Sequence, residues 1–252
     1  TYTVGAPAVG STGTVSQGVR VLQGSTATFL NGTLKAANYN KLVQIVHTYG
    51  DVVFEDFTVD ASEDQYAWCA VEPDCGTLQI LGNSSILAYG SNYGLYAAFW
   101  HTGTYDGVIV TVDTTGTITG KLAYELDEDV PSAPATKNKG FLNILNGNFD
   151  VISMEEIWTD VSADLNRSVG GITIGGGLFK VDPSEFCTSN TTGISSGNSQ
   201  LPYTVGPKEA NVEVAPAAPA ASADTTGKSE EVANVMNAVK DNLSSAEASG
   251  LE

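Results

Sequence analysis

The 252-residue sequence predicts an all-β chain that winds on itself as a β-solenoid. Two observations carry this. A phrase made of an apolar alternation, a tight polar or glycine corner and a second apolar alternation returns six times between Ala27 and Val181. It reads Ala-Thr-Phe-Leu-Asn-Gly-Thr-Leu-Lys-Ala at 27–36, Val-Val-Phe-Glu-Asp-Phe-Thr-Val-Asp-Ala at 52–61 and Leu-Gln-Ile-Leu-Gly-Asn-Ser-Ser-Ile-Leu-Ala at 78–88. It recurs at 108–119, 141–151 and 172–181. With Gly32, Asp56, Asn83, Thr115, Gly147 and Gly176 as corners, the steps are roughly 24 to 32 residues, one coil of a solenoid each. The second observation is composition: 42% hydrophobic against 16% charged, with abundant Gly, Thr, Ser and Asn, which suits strands and turns and excludes disorder for the body.

Residues 1–24, with weak alternation around Val15, Val19 and Val21, read as an extended arm ending in a first edge strand, a cap for the open end of the coil. Residues 25–187 are the body. Phe29, Val52, Phe54, Leu78, Ile80, Val108, Val110 and Val112 are expected to stack inward, while Thr28, Glu55, Gln79 and Thr111 face solvent. Each buried side chain of this kind is worth about 1.5–3 kcal/mol, so the body needs neither metal nor disulfide. Gly32, Gly82, Gly147 and Gly175–Gly177 are expected to supply positive φ at sharp turns. The aromatic segment Tyr93–Trp100 reads as a strand, Asp127–Pro134 as an acidic, proline-broken loop. Met154, Ile157, Val161 and Leu165 are spaced as on a short helix over 153–168. Residues 188–227 read as a Ser/Gly/Pro/Ala-rich linker. The last segment, 228–252, reads as an α-helix capped by Ser229, with Val232, Val235, Val239 and Ala246 as a narrow apolar stripe and Met236 and Leu243 beside it. So slim a stripe is marginal alone, which points to assembly or docking.

Charge limits the partners. With 11 Lys and Arg against 29 Asp and Glu, the net charge is −18, which opposes binding to nucleic acid and to anionic lipid. No apolar run approaches the roughly 18 residues needed to cross a bilayer. The chain begins Thr-Tyr-Thr-Val-Gly, without the basic start and apolar stretch of a signal peptide; removal of an initiator Met or cleavage of a longer precursor would each give such a start. Cys69 and Cys75 are near enough in sequence to be bridged, and Cys187 is left over; three thiols in a reducing compartment is the preferred reading.

The phrases Gly50-Asp-Val-Val-Phe-Glu-Asp-Phe-Thr-Val-Asp60, Asp106–Gly120 and Gly175-Gly-Gly-Leu-Phe-Lys-Val-Asp-Pro-Ser184 resemble right-handed parallel β-helix repeats. Such repeats occur in large surface proteins of gut Firmicutes and in virion proteins of their phages. The likeness covers about residues 25–186. The end of the chain, Val232–Glu252, is similar to the short C-terminal helix of phage head-fibre proteins. The resemblance implies a non-enzymatic virion protein, a head fibre or capsid decoration, at the virion surface, forming a homotrimer with a capsid or other virion protein as partner. The alternative is a bacterial cell-surface adhesin that binds glycans; a polysaccharide lyase or hydrolase is a third reading.

Asp106, Asp113, Asp127, Glu128, Asp129, Asp160 and Asp164 are the acidic groups a hydrolase or lyase would draw on, but no basic residue falls into a pattern with them. His47 and His101 form no local motif and read as loop or half-buried imidazoles. The expectation is therefore no catalytic residue, no cofactor and no metal. The aromatic group Tyr93, Tyr96, Phe99, Trp100 and Tyr105 is the binding candidate, since aromatic faces stack on sugars and fill interfaces equally well.

Overall fold

A computed structural model describes residues 1–4, 17–38, 43–99, 107–127, 140–159 and 170–208. Among these the chain is nearly all β: β1 (Tyr2–Val4), β2 (Gln17–Val21), β3 (Thr26–Ala36), β4 (Gln44–Thr48), β5 (Asp51–Asp60), β6 (Cys69–Pro73), β7 (Gly76–Gly82) and β8 (Ser85–Leu87). Then follow β9 (Tyr93–Phe99), β10 (Val108–Asp127), β11 (Gly140–Thr159), β12 (Gly170–Ile174), β13 (Leu178–Phe179), a 3₁₀ turn at Ser184–Phe186, β14 (Thr191–Ser195) and β15 (Tyr203–Pro207).

The pairings form three ladders of parallel strands, visited in turn by each coil. The first runs β2, β4, β6, β9 and the last parts of β10 and β11. The second runs through the first parts of β3 and β5, then β7, the first parts of β10 and β11, and β12. The third joins β1, the later parts of β3 and β5, β8, the middles of β10 and β11, and β13. A parallel β-solenoid results, with three strand segments per coil. Long strands such as β10 bend at the corners, where the register shifts between Val112 and Thr117 and again at Gly120/Lys121.

Period-two alternation becomes side-chain stacks because parallel rungs repeat every ~4.8 Å and put equivalent positions on top of one another. One inner stack is Ala27, Val52, Leu78, Val110, Leu142, Ile172. A second is Phe29, Phe54, Ile80, Val112, Ile144, Ile174, and a third Leu34, Val59, Ile86, Ile118, Phe149, Phe179. Apart from the half-buried Ala27 and Phe29, these residues are buried. Thr28, Val53, Gln79, Thr111, Asn143 and Thr173 form the stack between the first two, on the outer side.

Corners fall where polar and glycine residues interrupt the alternation. Left-handed backbone appears at Asn31 (φ 49°), Asp56 (φ 51°), Gly82 (φ 62°), Gly147 (φ 150°) and Gly177 (φ 113°). Gly32 differs from expectation: Asn31 takes the positive φ, which Asn tolerates, and at Gly32 space is tight, since a Cβ there would lie 3.0 Å from the Phe57 ring. Within the three-glycine run only Gly177 takes a positive φ; at Gly176 the constraint is again space, since a Cβ would meet Leu145 O of the preceding rung.

Three segments differ from the sequence reading. Residues 153–159 are the end of β11, not the start of a helix: Met154 and Trp158 pack on the main core, whereas Ile157 packs in a second cluster on the other side of the strand. Val161 and Leu165 lie outside the described residues. Within 1–24 the expected first edge strand is present as Gln17–Val21, which opens the first ladder; what differs is that Tyr2–Val4 is also a strand, paired with β3. The stretch 188–208, expected as loop, is a hairpin: β14 and β15 pair antiparallel, and β15 pairs antiparallel with β13. Ser184 anchors it, its backbone N–H donating to Asp182 Oδ1 (2.9 Å) and its Oγ accepting from Gly193 N–H (3.0 Å). The hairpin reverses strand direction at the end of the third ladder, where a further parallel rung would otherwise add. The chain divides into Thr1–Lys208 and Glu209–Glu252. The second unit, with the Pro/Ala stretch and the expected helix bearing Val232, Val235, Met236, Val239 and Leu243, lies outside the described residues.

Candidate functional site

The first ladder breaks strict alternation in a repeated way. Its rungs read Gln17-Gly-Val-Arg20, Gln44-Ile-Val-His47, Cys69-Ala-Val-Glu72 and Tyr93-Gly-Leu-Tyr96, and in the β4 and β6 rungs both middle residues belong to the core. Ile45, Val46, Ala70, Val71 and Leu95 belong to the main core, whereas Cys69, Tyr96, Ala98 and Ala123 form a separate buried cluster with Trp68, Tyr93 and Ile157. The outer side of this one ladder is therefore buried over β4 and β6 and partly buried beyond them, and it carries a strip of polar and aromatic side chains.

At the β2–β4–β6 end the strip is ionisable. His47 is 5% exposed, Glu72 0% and Asp74 2%. His47 Nε2 lies 2.7 Å from Asp74 Oδ2, and its Nδ1 lies 2.6 Å from the Gln17 amide. Gln44 Nε2 donates to Glu72 Oε2 at 2.6 Å. One ligand atom from each of His47, Glu72 and Asp74 falls within 4.8 Å of the others. Burial, reinforced by Asp74, lifts the Glu72 carboxyl to about 7, while the Gln44 hydrogen bond and His47 oppose the rise. The Arg20 guanidinium sits 5.0 Å over the Tyr49 ring, which in turn lies against His47 with centroids 4.6 Å apart. Burial, with Asp74 beside it, pushes the Tyr49 phenol well above its usual range.

Further along, the strip is aromatic. Trp68, Tyr93 and Tyr96 meet edge to face with centroids 4.8–5.6 Å apart. The Tyr96 hydroxyl donates to Glu125, and the Tyr93 hydroxyl donates to Glu155 Oε2 at 3.2 Å. Glu155 also accepts from Ser153 Oγ at 2.7 Å and faces Lys121 Nζ at 3.4 Å, and the Ser153 bond foremost holds its carboxyl below the usual range. Burial foremost pushes both tyrosines up.

Of the expected binding aromatics, the structure brings Tyr93 and Tyr96 together and adds Trp68, which the sequence reading did not single out. Phe99 ends β9, its side chain outside the described residues, as are Trp100 and Tyr105. Tyr96 is 6% exposed and packed against Trp68 and Tyr93, so its ring is used in packing. His47 is a buried strand residue, not a loop imidazole, and His101 lies outside the described residues. Of the expected acidic groups, Asp113 sits in β10 and Asp127 ends it; Asp106, Glu128, Asp129, Asp160 and Asp164 are outside the described residues. All three cysteines are free thiols. Cys69 Sγ donates to Val71 O at 3.1 Å and Cys75 Sγ to Tyr49 O at 2.9 Å. At the corner between the first two ladders, Gln23, Gly24, Tyr49, Gly50, Asp51, Cys75 and Gly76 line a depression of ≈ 140 Å³, below the roughly 300 Å³ at which small-molecule pockets begin. Comparison with protein-family models, with curated proteins and with solved structures found no match.

Proposed function

We propose that this chain is a non-enzymatic structural protein displayed on a surface, in which a right-handed β-solenoid serves as a stiff, acidic support. The observation that carries the reading is the continuity of the inner stacks from Ala27 to Phe179, rung after rung of apolar residues. Such a coil resists bending because each rung is held by its neighbours along the whole ladder. Right-handedness follows from the near-universal hand of parallel crossovers. The −18 net charge suits an exposed rod that must stay soluble. The ionisable strip supports the same reading: His47, Glu72 and Asp74 are turned onto one another and onto amides, with almost no surface presented to a polymer.

Within that class, the setting proposed is a phage virion surface, as a head fibre or capsid-decorating homotrimer assembled through residues 228–252. The test is molar mass in solution, by light scattering, for the full chain and for a chain ending at Gly227. The reading expects a trimer that becomes a monomer on truncation; a monomer in both cases overturns the assembly role. Glycan-array binding that disappears in Trp100→Ala would replace the virion setting with the adhesin one. Release of product from any polysaccharide would end the non-enzymatic reading.

A further inference from the structure

We infer that His47, Glu72 and Asp74 form a binding site for one divalent transition-metal ion of the zinc class, tying two adjacent rungs of the first ladder together. His47 lies on β4, Glu72 on β6, and Asp74 directly after it, and the three ligand atoms converge within 4.8 Å. The second observation is independent of this convergence: Glu72 is fully buried, Gln44 occupies its Oε2, and its Oε1 has no hydrogen-bond partner. Asp64 Oδ2 is another buried carboxylate oxygen without a donor, but Glu72 is the one of the two grouped with an imidazole and a second carboxylate.

The donor set selects the ion. One imidazole and two carboxylates suit zinc and its first-row neighbours, whereas calcium takes six or more oxygens and magnesium keeps most of its waters. At metal–ligand distances of about 2.0–2.2 Å, two tetrahedral ligands stand about 3.3 Å apart. His47 Nε2 and Asp74 Oδ2, now 2.7 Å apart, need to separate by only about 0.6 Å to admit an ion between them. The outer partners fit as well. Gln17 meets His47 Nδ1 at 2.6 Å, and with its amide turned to present oxygen it accepts the Nδ1 proton, leaving Nε2 free to ligate. Gln44 steadies Glu72 through its Oε2. An ion of charge +2 would also offset two carboxylates that burial places beside a single imidazole.

The experiment uses the full chain, stripped with EDTA and dialysed, and titrates it with Zn²⁺ by calorimetry. Excess Mg²⁺ and about 0.5 M salt keep the acidic surface from contributing. The inference expects one Zn²⁺ per chain. Glu72→Gln, nearly isosteric, should weaken binding on the order of 100-fold, and Gln44→Ala on the order of 10-fold. Histidine ring NMR on the unsubstituted chain gives a readout that does not depend on variants folding: Zn²⁺ must shift the His47 ring nitrogens, assigned by His101→Gln. Absence of a stoichiometric site, unchanged affinity in folded Glu72→Gln, or unmoved His47 resonances would each overturn it.

Discussion

Phe149→Ala tests most sharply whether stacked rungs hold the coil. Phe149 is fully buried in the third ladder between Ile118 and Phe179, and its ring lies parallel to that of Phe179 with centroids 4.7 Å apart and 8° between planes. Truncating a buried Phe to Ala costs about 3–5 kcal/mol through lost transfer energy and the cavity left behind. Loss of the stacked pair adds about 0.5–1.5 kcal/mol. The perturbation sits at one interface between rungs, so the loss should be felt first beyond it, in β12, β13 and the hairpin. Urea unfolding followed by tryptophan fluorescence measures the total, and hydrogen exchange of residues 170–207 measures its location. Phe149→Leu should cost less than about 1.5 kcal/mol if the stack accepts the change of shape. Ile152→Ala, at a side chain 46% exposed three residues on, should stay within about 0.5 kcal/mol of the parent. Equal effects of Phe149→Ala and Ile152→Ala would refute the stacking argument.

Gly116→Ala should destabilise by more than about 2 kcal/mol, because a Cβ there would meet Ser84 O of the preceding rung at 2.0 Å; thermal melting checks it, and a melting point like the parent's would show that the rungs are not so close. Glu72 gives a pH dependence whose sign is set by its raised pKa. Between 4.5, its ordinary value, and about 7 the folded chain binds more protons than the unfolded one, so this residue's contribution falls as pH rises. The difference in stability between the parent and Glu72→Gln, measured in EDTA, should change by up to about 3 kcal/mol in favour of Glu72→Gln from pH 4.5 to pH 8. Asp74, His47, Gln44 and Glu125 are the groups that face Glu72, and a flat difference across that range would contradict its buried setting. Burial pushes the Cys75 thiol up to about 12 and Cys69 well above its usual value, so neither should be alkylated by iodoacetamide at pH 8 in the native chain; fast labelling of Cys69 would show that the strip is open.

What the sequence revealed and what it hid have the same cause. Leu78-Gln-Ile80 and Val110-Thr-Val112 alternate cleanly, and the corner after Ile80 carries Gly82, which takes left-handed backbone, so the second ladder can be read from the chain alone. The segment after Ile152 misleads for a physical reason: strand β11 buries apolar side chains on both its sides, so Met154 and Ile157 imitate helical spacing while pointing to opposite clusters. The hairpin β14–β15 was hidden because its strands are short and mostly polar, and only two residue pairs join β15 to β13 of the last rung. His47 and Asp74 are 27 residues apart and meet only because rungs stack. Their signal was the repeated spacing Gln44-Ile-Val-His47 and Cys69-Ala-Val-Glu72, which becomes visible once coils are aligned by their inner residues.

The most direct test of the winding itself is a disulfide between stacked outer positions. Gln79 and Thr111 are register partners on neighbouring rungs of the second ladder, where rungs stand ~4.8 Å apart, within the reach of a disulfide. In the double variant Gln79→Cys/Thr111→Cys, mild oxidation should close an intramolecular bridge within one chain. The offset pair Gln79→Cys/Thr114→Cys should not close, because Thr114 pairs with Gly82. Closure of the offset pair, or failure of the register pair to close in folded protein, would contradict a coil in which each rung lies in register on the last.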